Sequence, residues 1–145
     1  MKGIIIIILS LFICHFSNSQ KYDSWKIYHN RKEEGSFNLK KETTDERRVV
    51  LLNRNIEGAG FLVIEYTPAK DRADWIRTIA FFDSSDHSLR EYNNTLFLRV
   101  QNSELGIILE GKQKVKIYSW AVPKDPAEAA TVRVRRILLC TLYIR

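Results

Sequence analysis

The chain has 145 residues, is 45% hydrophobic and 11% aromatic, and carries a formal charge of +6. That apolar content excludes a disordered chain, and the length fits one domain rather than several. Two cysteines and three histidines form no spaced ligand pair, and no HExxH, CxxC or GxSxG motif supports a zinc or serine hydrolase.

The first element reads as a leader. Lys2 supplies a positive start, residues 4–16 form an uncharged apolar run, and Ser17-Asn18-Ser19 places small residues where signal peptidase cuts. The apolar run of 13 residues is shorter than the roughly 18–20 that span a bilayer. Cleavage after Ser19 predicts a signal peptide over 1–19 and a single mature domain over 20–145. Acylation at Cys14 is the rival processing route, and bulky Ile13 directly before it argues against that. With the leader gone, Cys140 is the sole cysteine, so no disulfide forms within the mature chain. Loss of Lys2 lowers the net charge from +6 to +5, a mild excess that favours anionic surfaces more than nucleic acid.

From Tyr22 onward, period-2 alternation predicts strands over 25–29, 36–41, 47–53, 61–67, 75–82, 89–92, 96–101, 114–122 and 131–144. Turn-forming stretches separate them, including "NRKEEG", "NIEGAG", "TPAKDRAD" and "DSSDHS". In "DSSDHS", Asp83, Asp86 and His87 are too few for a calcium loop and read as a hairpin turn. "FLVIEY" and "WIRTIAFF" are apolar on both faces and belong in central strands. Asn102 or Ser103 can cap one short helix with Leu105, Ile108 and Leu109 on its buried face and Gly111 as its stop. In "KVKIYSWAV", Val115, Ile117 and Ala121 point one way, whereas Lys116, Tyr118 and Trp120 point the other. This spacing predicts an all-β fold, an antiparallel β-sandwich of about eight or nine strands with one short helix.

The last segment joins two strands through a capped turn. Pro123 ends the first strand; Asp125, Pro126 and Glu128 match N-cap, N1 and N3. The strand beyond has Arg136 on its apolar side, so a bulge at Arg135–Arg136 or a rim position is expected. Lys116, Tyr118, Trp120, Arg133, Arg135 and Arg136 are the candidate binding residues, because cations interleaved with aromatic rings suit anionic ligands. Core or partial cover is the competing assignment for the Lys116–Tyr118–Trp120 face, and a solvated outer face with cross-strand acids for the other three. No catalytic or metal-ligating residue is assigned, and no cofactor is expected.

The stretches "SWKIYHN", "DERRVVLLNR", "WIRTIAFFD" and "KVKIYSWAVPKDPAEAATVRVRRILLCTLY" resemble small exported proteins of Bacteroidetes-type bacteria with no assigned activity. The resemblance implies an envelope or secreted location and carries over no catalytic residues. The expectation is an exported, non-catalytic binding or structural module of the bacterial cell envelope. Its location would be the periplasm, the outer-membrane surface or the medium. Its partners would be an envelope protein or an anionic glycan, with no nucleic acid and no transmembrane span in the mature chain. The alternative is a hydrolase of cell-wall or glycan material using an unmotifed carboxylate pair.

Overall fold

In the computed structural model, β1 (Ser24–His29) turns directly into β2 (Lys32–Asn38) through Asn30 and Arg31. Both turn residues have positive φ, 51° and 71°, as a two-residue type I′ hairpin requires. The strand expected over 36–41 therefore starts four residues earlier and ends earlier. The tight turn uses only the first two residues of "NRKEEG" and frees the rest for pairing. The structure describes residues 20–40, 49–53, 56 and 58–145. The leader expected over 1–19, Cys14 and the start of the strand expected over 47–53 lie outside them.

The chain continues through β3 (Val49–Leu52), β4 (Phe61–Thr67), β5 (Ile76–Phe82), β6 (Ser88–Asn93) and β7 (Phe97–Gln101). Then come helix α1 (Asn102–Leu109), β8 (Lys114–Val122), helix α2 (Pro126–Ala129) and β9 (Ile137–Ile144). The nine strands form two sheets, a four-stranded one ordered β2-β1-β4-β7 and a five-stranded one ordered β3-β9-β8-β5-β6. All pairs are antiparallel except β3 with β9, which run parallel with Val50 opposite Leu142. The all-β sandwich architecture is thus present, and the parallel pair makes the larger sheet mixed.

One core fills the space between the sheets. Trp25, Ile27, Leu62, Ile64, Leu98 and Val100 enter it from the smaller sheet. Val50, Leu52, Ile79, Phe81, Val115, Ile117, Cys140 and Leu142 enter from the larger. The alternation read in "KVKIYSWAV" holds in part: Val115 and Ile117 are fully buried, as is Ser119, and Lys116, Tyr118 and Trp120 are half-buried on the outer face, but Ala121, expected inward, is also only half-buried. Helix α1 closes one side through Leu105, Ile108 and Leu109, since two turns gain little stability outside tertiary packing. Its N-cap is Gln101, with no side-chain cap. The Asn102 side chain instead donates to Asn30 Oδ1 and lies within hydrogen-bond distance of His29 Nε2, and Gly111 follows the helix at a φ of +67°.

Asp125 does cap α2, accepting from Ala127 N at 2.9 Å with Pro126 at the first position. Residues 131–136 are not a strand; β9 begins at Ile137. Trp75 likewise precedes β5 rather than opening it. No helix among the described residues is long and apolar enough to cross a membrane.

Candidate binding faces

The outer face of the five-stranded sheet gathers several of the residues singled out by alternation. On β8, Lys116, Tyr118 and Trp120 stand opposite Phe82, Ala80 and Thr78 of β5. Phe82 meets Tyr118 edge-on at 5.5 Å between centroids and Trp120 at 6.3 Å. These edge-to-face contacts hold the rings in fixed orientations. Tyr118 and Trp120 are half-buried, whereas Phe82 is buried at 7% exposure.

A bulge brings Arg136 to this same face. Ile117 pairs with Cys140, but Tyr118 pairs with Leu138, so Leu139 has no partner in the β8 register. Skipping one residue reverses the alternation upstream. Leu138 therefore faces out, and Arg136, two residues earlier, does too. The bulge sits three residues beyond the Arg135–Arg136 position read from the sequence. It forms where Leu139 can remain in the core while its carbonyl accepts from Trp25 Nε1 at 2.9 Å. The Arg136 guanidinium lies 4.9 Å from the Tyr118 ring and 5.1 Å from the Phe82 ring.

Its charge is met by Asp86 of the β5–β6 turn, with Nη2 2.7 Å from Oδ2 and Nη1 3.3 Å from Oδ1. This two-pronged geometry is the one guanidinium and carboxylate favour. The hydrogen bond from Arg136 holds the Asp86 carboxyl below the usual carboxylate range, and the same bond raises the Arg136 guanidinium. The turn itself is built by Asp83, whose Oδ1 accepts from Ser85 N and His87 N at 2.8 and 3.0 Å. "DSSDHS" is thus a hairpin turn that also supplies an arginine's counterion. Arg133 and Arg135 are exposed, and no acid among the described residues pairs with either.

Two further clusters escaped the sequence reading. The first is buried between the sheets around Asp23, which has no exposed surface. Its carboxylate accepts from Tyr66 Oη at 2.5 Å, Ala69 N at 2.7 Å and Arg72 Nη2 at 3.2 Å, and pairs with Arg77 Nη2 at 3.5 Å. Arg77 lies 3.9 Å over the Tyr66 ring and donates to Ser119 Oγ at 2.9 Å. Burial pushes the Tyr66 phenol far up and the Arg77 guanidinium down. Asp23 precedes β1 and Arg77 sits in an otherwise apolar run. Only the docking of the two sheets reveals that they answer each other.

The second is an open cup of about 670 Å³ on the outer face of the four-stranded sheet. Phe61, Val63, Phe97 and Tyr28 line it, with Arg31, Arg99 and Glu65 as its charged groups. The alternation of Phe97 and Arg99 in "FLRV" was a usable signal. What the sequence lacked was the pairing that sets Arg99 across from Val63.

Among the described residues, no group of three His, Cys, Asp or Glu side chains is arranged to hold a metal ion. Cys140 is fully buried, and burial pushes its thiol far up, so it behaves as a small apolar side chain.

Fold and faces together define the class: an all-β sandwich of a four-stranded and a five-stranded sheet, with aromatic and basic groups on both outer surfaces. No family model, no curated protein and no solved structure matches the chain.

Proposed function

We propose that the protein is an exported, non-catalytic binding module of the bacterial cell envelope that engages an anionic glycan. The binding surface is the outer face of the five-stranded sheet. One observation carries the reading: Lys116, Tyr118 and Trp120 project half-exposed from one strand, with Arg136 laid over the Tyr118 and Phe82 rings. Aromatic faces stack against the C–H faces of sugar rings, and the cations beside them attract carboxylate or sulfate groups. Rings already held by neighbours lose little freedom on binding. The leader and the excess of basic residues support export to a surface rich in such polymers. The competing hydrolase needs two carboxylates across a cleft, and Glu65 is the one acidic residue lining the cup.

The test is retention of the purified protein on a sulfated polysaccharide resin. Trp120→Ala should weaken binding about tenfold, the scale of losing one well-packed aromatic contact. Lys116→Gln should lower the salt needed for elution. Unchanged elution of both variants would sink the glycan assignment. Co-purification of an envelope protein that depends on Trp120 would replace the glycan with a protein partner.

A further inference from the structure

We propose that the cup on the four-stranded sheet is a second binding site, specific for a small amphiphilic carboxylate: an apolar body of ring size or a short acyl chain bearing one acid group. The site lies on the opposite face from the glycan-binding surface and does not depend on it.

Strand register fixes the layout. On this face Lys26 stands opposite Glu65, Tyr28 opposite Val63, Glu65 opposite Phe97, and Val63 opposite Arg99. Val63 is therefore the centre of a floor with Phe61 and Phe97 on either side of it. Phe97 is 56% exposed, a large apolar side chain left in water where an apolar ligand would cover it. The volume of about 670 Å³ falls within the roughly 300–1,000 Å³ of small-molecule sites.

Charge sets the ligand's sign. The cup's lining carries two cations, Arg31 and Arg99, against one carboxylate, Glu65, which stands opposite Lys26 in the strand register, so the net charge is positive. The Arg99 guanidinium is laid on the Phe61 ring at 3.5 Å. That contact occupies its flat face and leaves its edge donors to reach a planar acid. Among the described residues no carboxylate lies within ion-pair distance of Arg31 or Arg99. Arg136 on the other sheet, by contrast, has Asp86.

The wall beside Arg31 is rigid before any ligand arrives. Asn102 is 2% exposed. Its Nδ2 donates to Asn30 Oδ1 at 3.2 Å, and its Oδ1 lies 3.3 Å from His29 Nε2. Asn30 N donates to Phe61 O at 3.0 Å, and Asn102 N to Gly60 O at 2.9 Å. A Cβ at Gly60 would collide with Asn30 Oδ1 and press on Asn102 Nδ2, so both amide side chains would have to shift. One buried amide, Asn102, its exposed partner Asn30 and a glycine thus clamp the hairpin that presents Arg31. A preformed wall spares the ordering cost of binding.

The experiment titrates the purified protein with 3-phenylpropionate, 3-phenylpropanamide and acetate, followed by amide chemical shifts. The proposal expects saturable binding of phenylpropionate with a Kd of about 1 mM or tighter, and shifts centred on Phe61, Val63, Arg99 and Asn102. The neutral amide should bind about tenfold more weakly, and acetate should not saturate. Arg99→Met keeps an apolar stem and should remove the preference for acid over amide. Phe97→Ser should weaken acid and amide alike. Equal affinity for acid and amide, shifts confined to the other sheet, or no saturation with phenylpropionate would each overturn the proposal. Trp120→Ala should leave this binding unchanged, so failure here and failure of the glycan reading remain distinguishable.

Discussion

Arg77 and Arg136 use the same three-part arrangement in two different settings. Each guanidinium lies over a tyrosine ring, at 3.9 Å for Arg77 on Tyr66 and 4.9 Å for Arg136 on Tyr118, and each is answered by an aspartate. The difference is burial: the Arg77 side chain is 3% exposed and that of Arg136 is 43% exposed. Between the sheets, every donor on Arg77 and every acceptor on Asp23 must be matched inside the protein, so the cluster fixes how the layers dock. On the surface, water can replace either partner at little cost, so the ion pair with Asp86 orients Arg136 without holding the fold. The same chemistry acts as a strut in one place and as a displayed group in the other.

The comparison breaks hardest at Asp23. Asp23→Ala leaves Arg77 buried without its counterion, and the expected loss is about 3–5 kcal/mol of unfolding free energy, read from urea denaturation. Arg77→Met removes the cation while Arg72 and Ala69 N still serve Asp23, so its cost should be smaller. A reversed order would refute the account of the cluster as a compensated buried charge. Next in size is Gly60→Ala, which forces Asn30 and Asn102 apart. Overpacking of this kind costs about 1–3 kcal/mol, and amide shifts at Asn30 and Arg31 should report the displaced wall.

The smallest effect belongs to Asp86 and Arg136. Arg136→Gln should leave the unfolding midpoint at pH 7 within error, as exposed ion pairs contribute little. The sharper readout is titration. In the folded protein the Asp86 carboxyl lies below its usual range, through the Arg136 hydrogen bond first. A depressed folded value means the pair's contribution is in place above the ordinary aspartate pKa of about 3.9 and disappears as pH falls through the folded value. In Arg136→Gln, the carboxyl should titrate back toward the ordinary value. An unshifted carboxyl in the unmodified protein would remove Asp86 as the counterion.

Local pattern carried most of the strands but not their meeting. The alternation of "KVKIYSWAV" separates core from surface correctly as far as Ser119, because β8 is central, with neighbours on both sides; it fades at Ala121 near the strand's end. The cap at Asp125 was equally legible, since it needs only a short contiguous stretch. Arg136 was harder. Its side of the sheet depends on a bulge downstream, and a one-residue slip inverts every residue before it. The pairing of Asp23 with Arg77 was not legible at all, and of the cup only the alternation of Phe97 with Arg99 was. The partners of Arg77 lie 42 to 54 positions away in the chain, and only the register of β4 with β7 joins Val63 to Arg99.

The indole of Trp25 has a consequence for the order of events during synthesis. Its Nε1–H donates to the carbonyl of Leu139, 114 residues later, so the first strand is tied to the bulge of the last. The chain also passes between the two sheets five times. A polypeptide emerging N-terminus first must therefore hold β1 and β4 with their core faces open until β9 arrives. Contacts so distant form slowly and leave apolar surface exposed meanwhile. Trp25 fluorescence should thus change in one late step, when the final strand closes the sandwich, and a chain truncated before Leu139 should never show it.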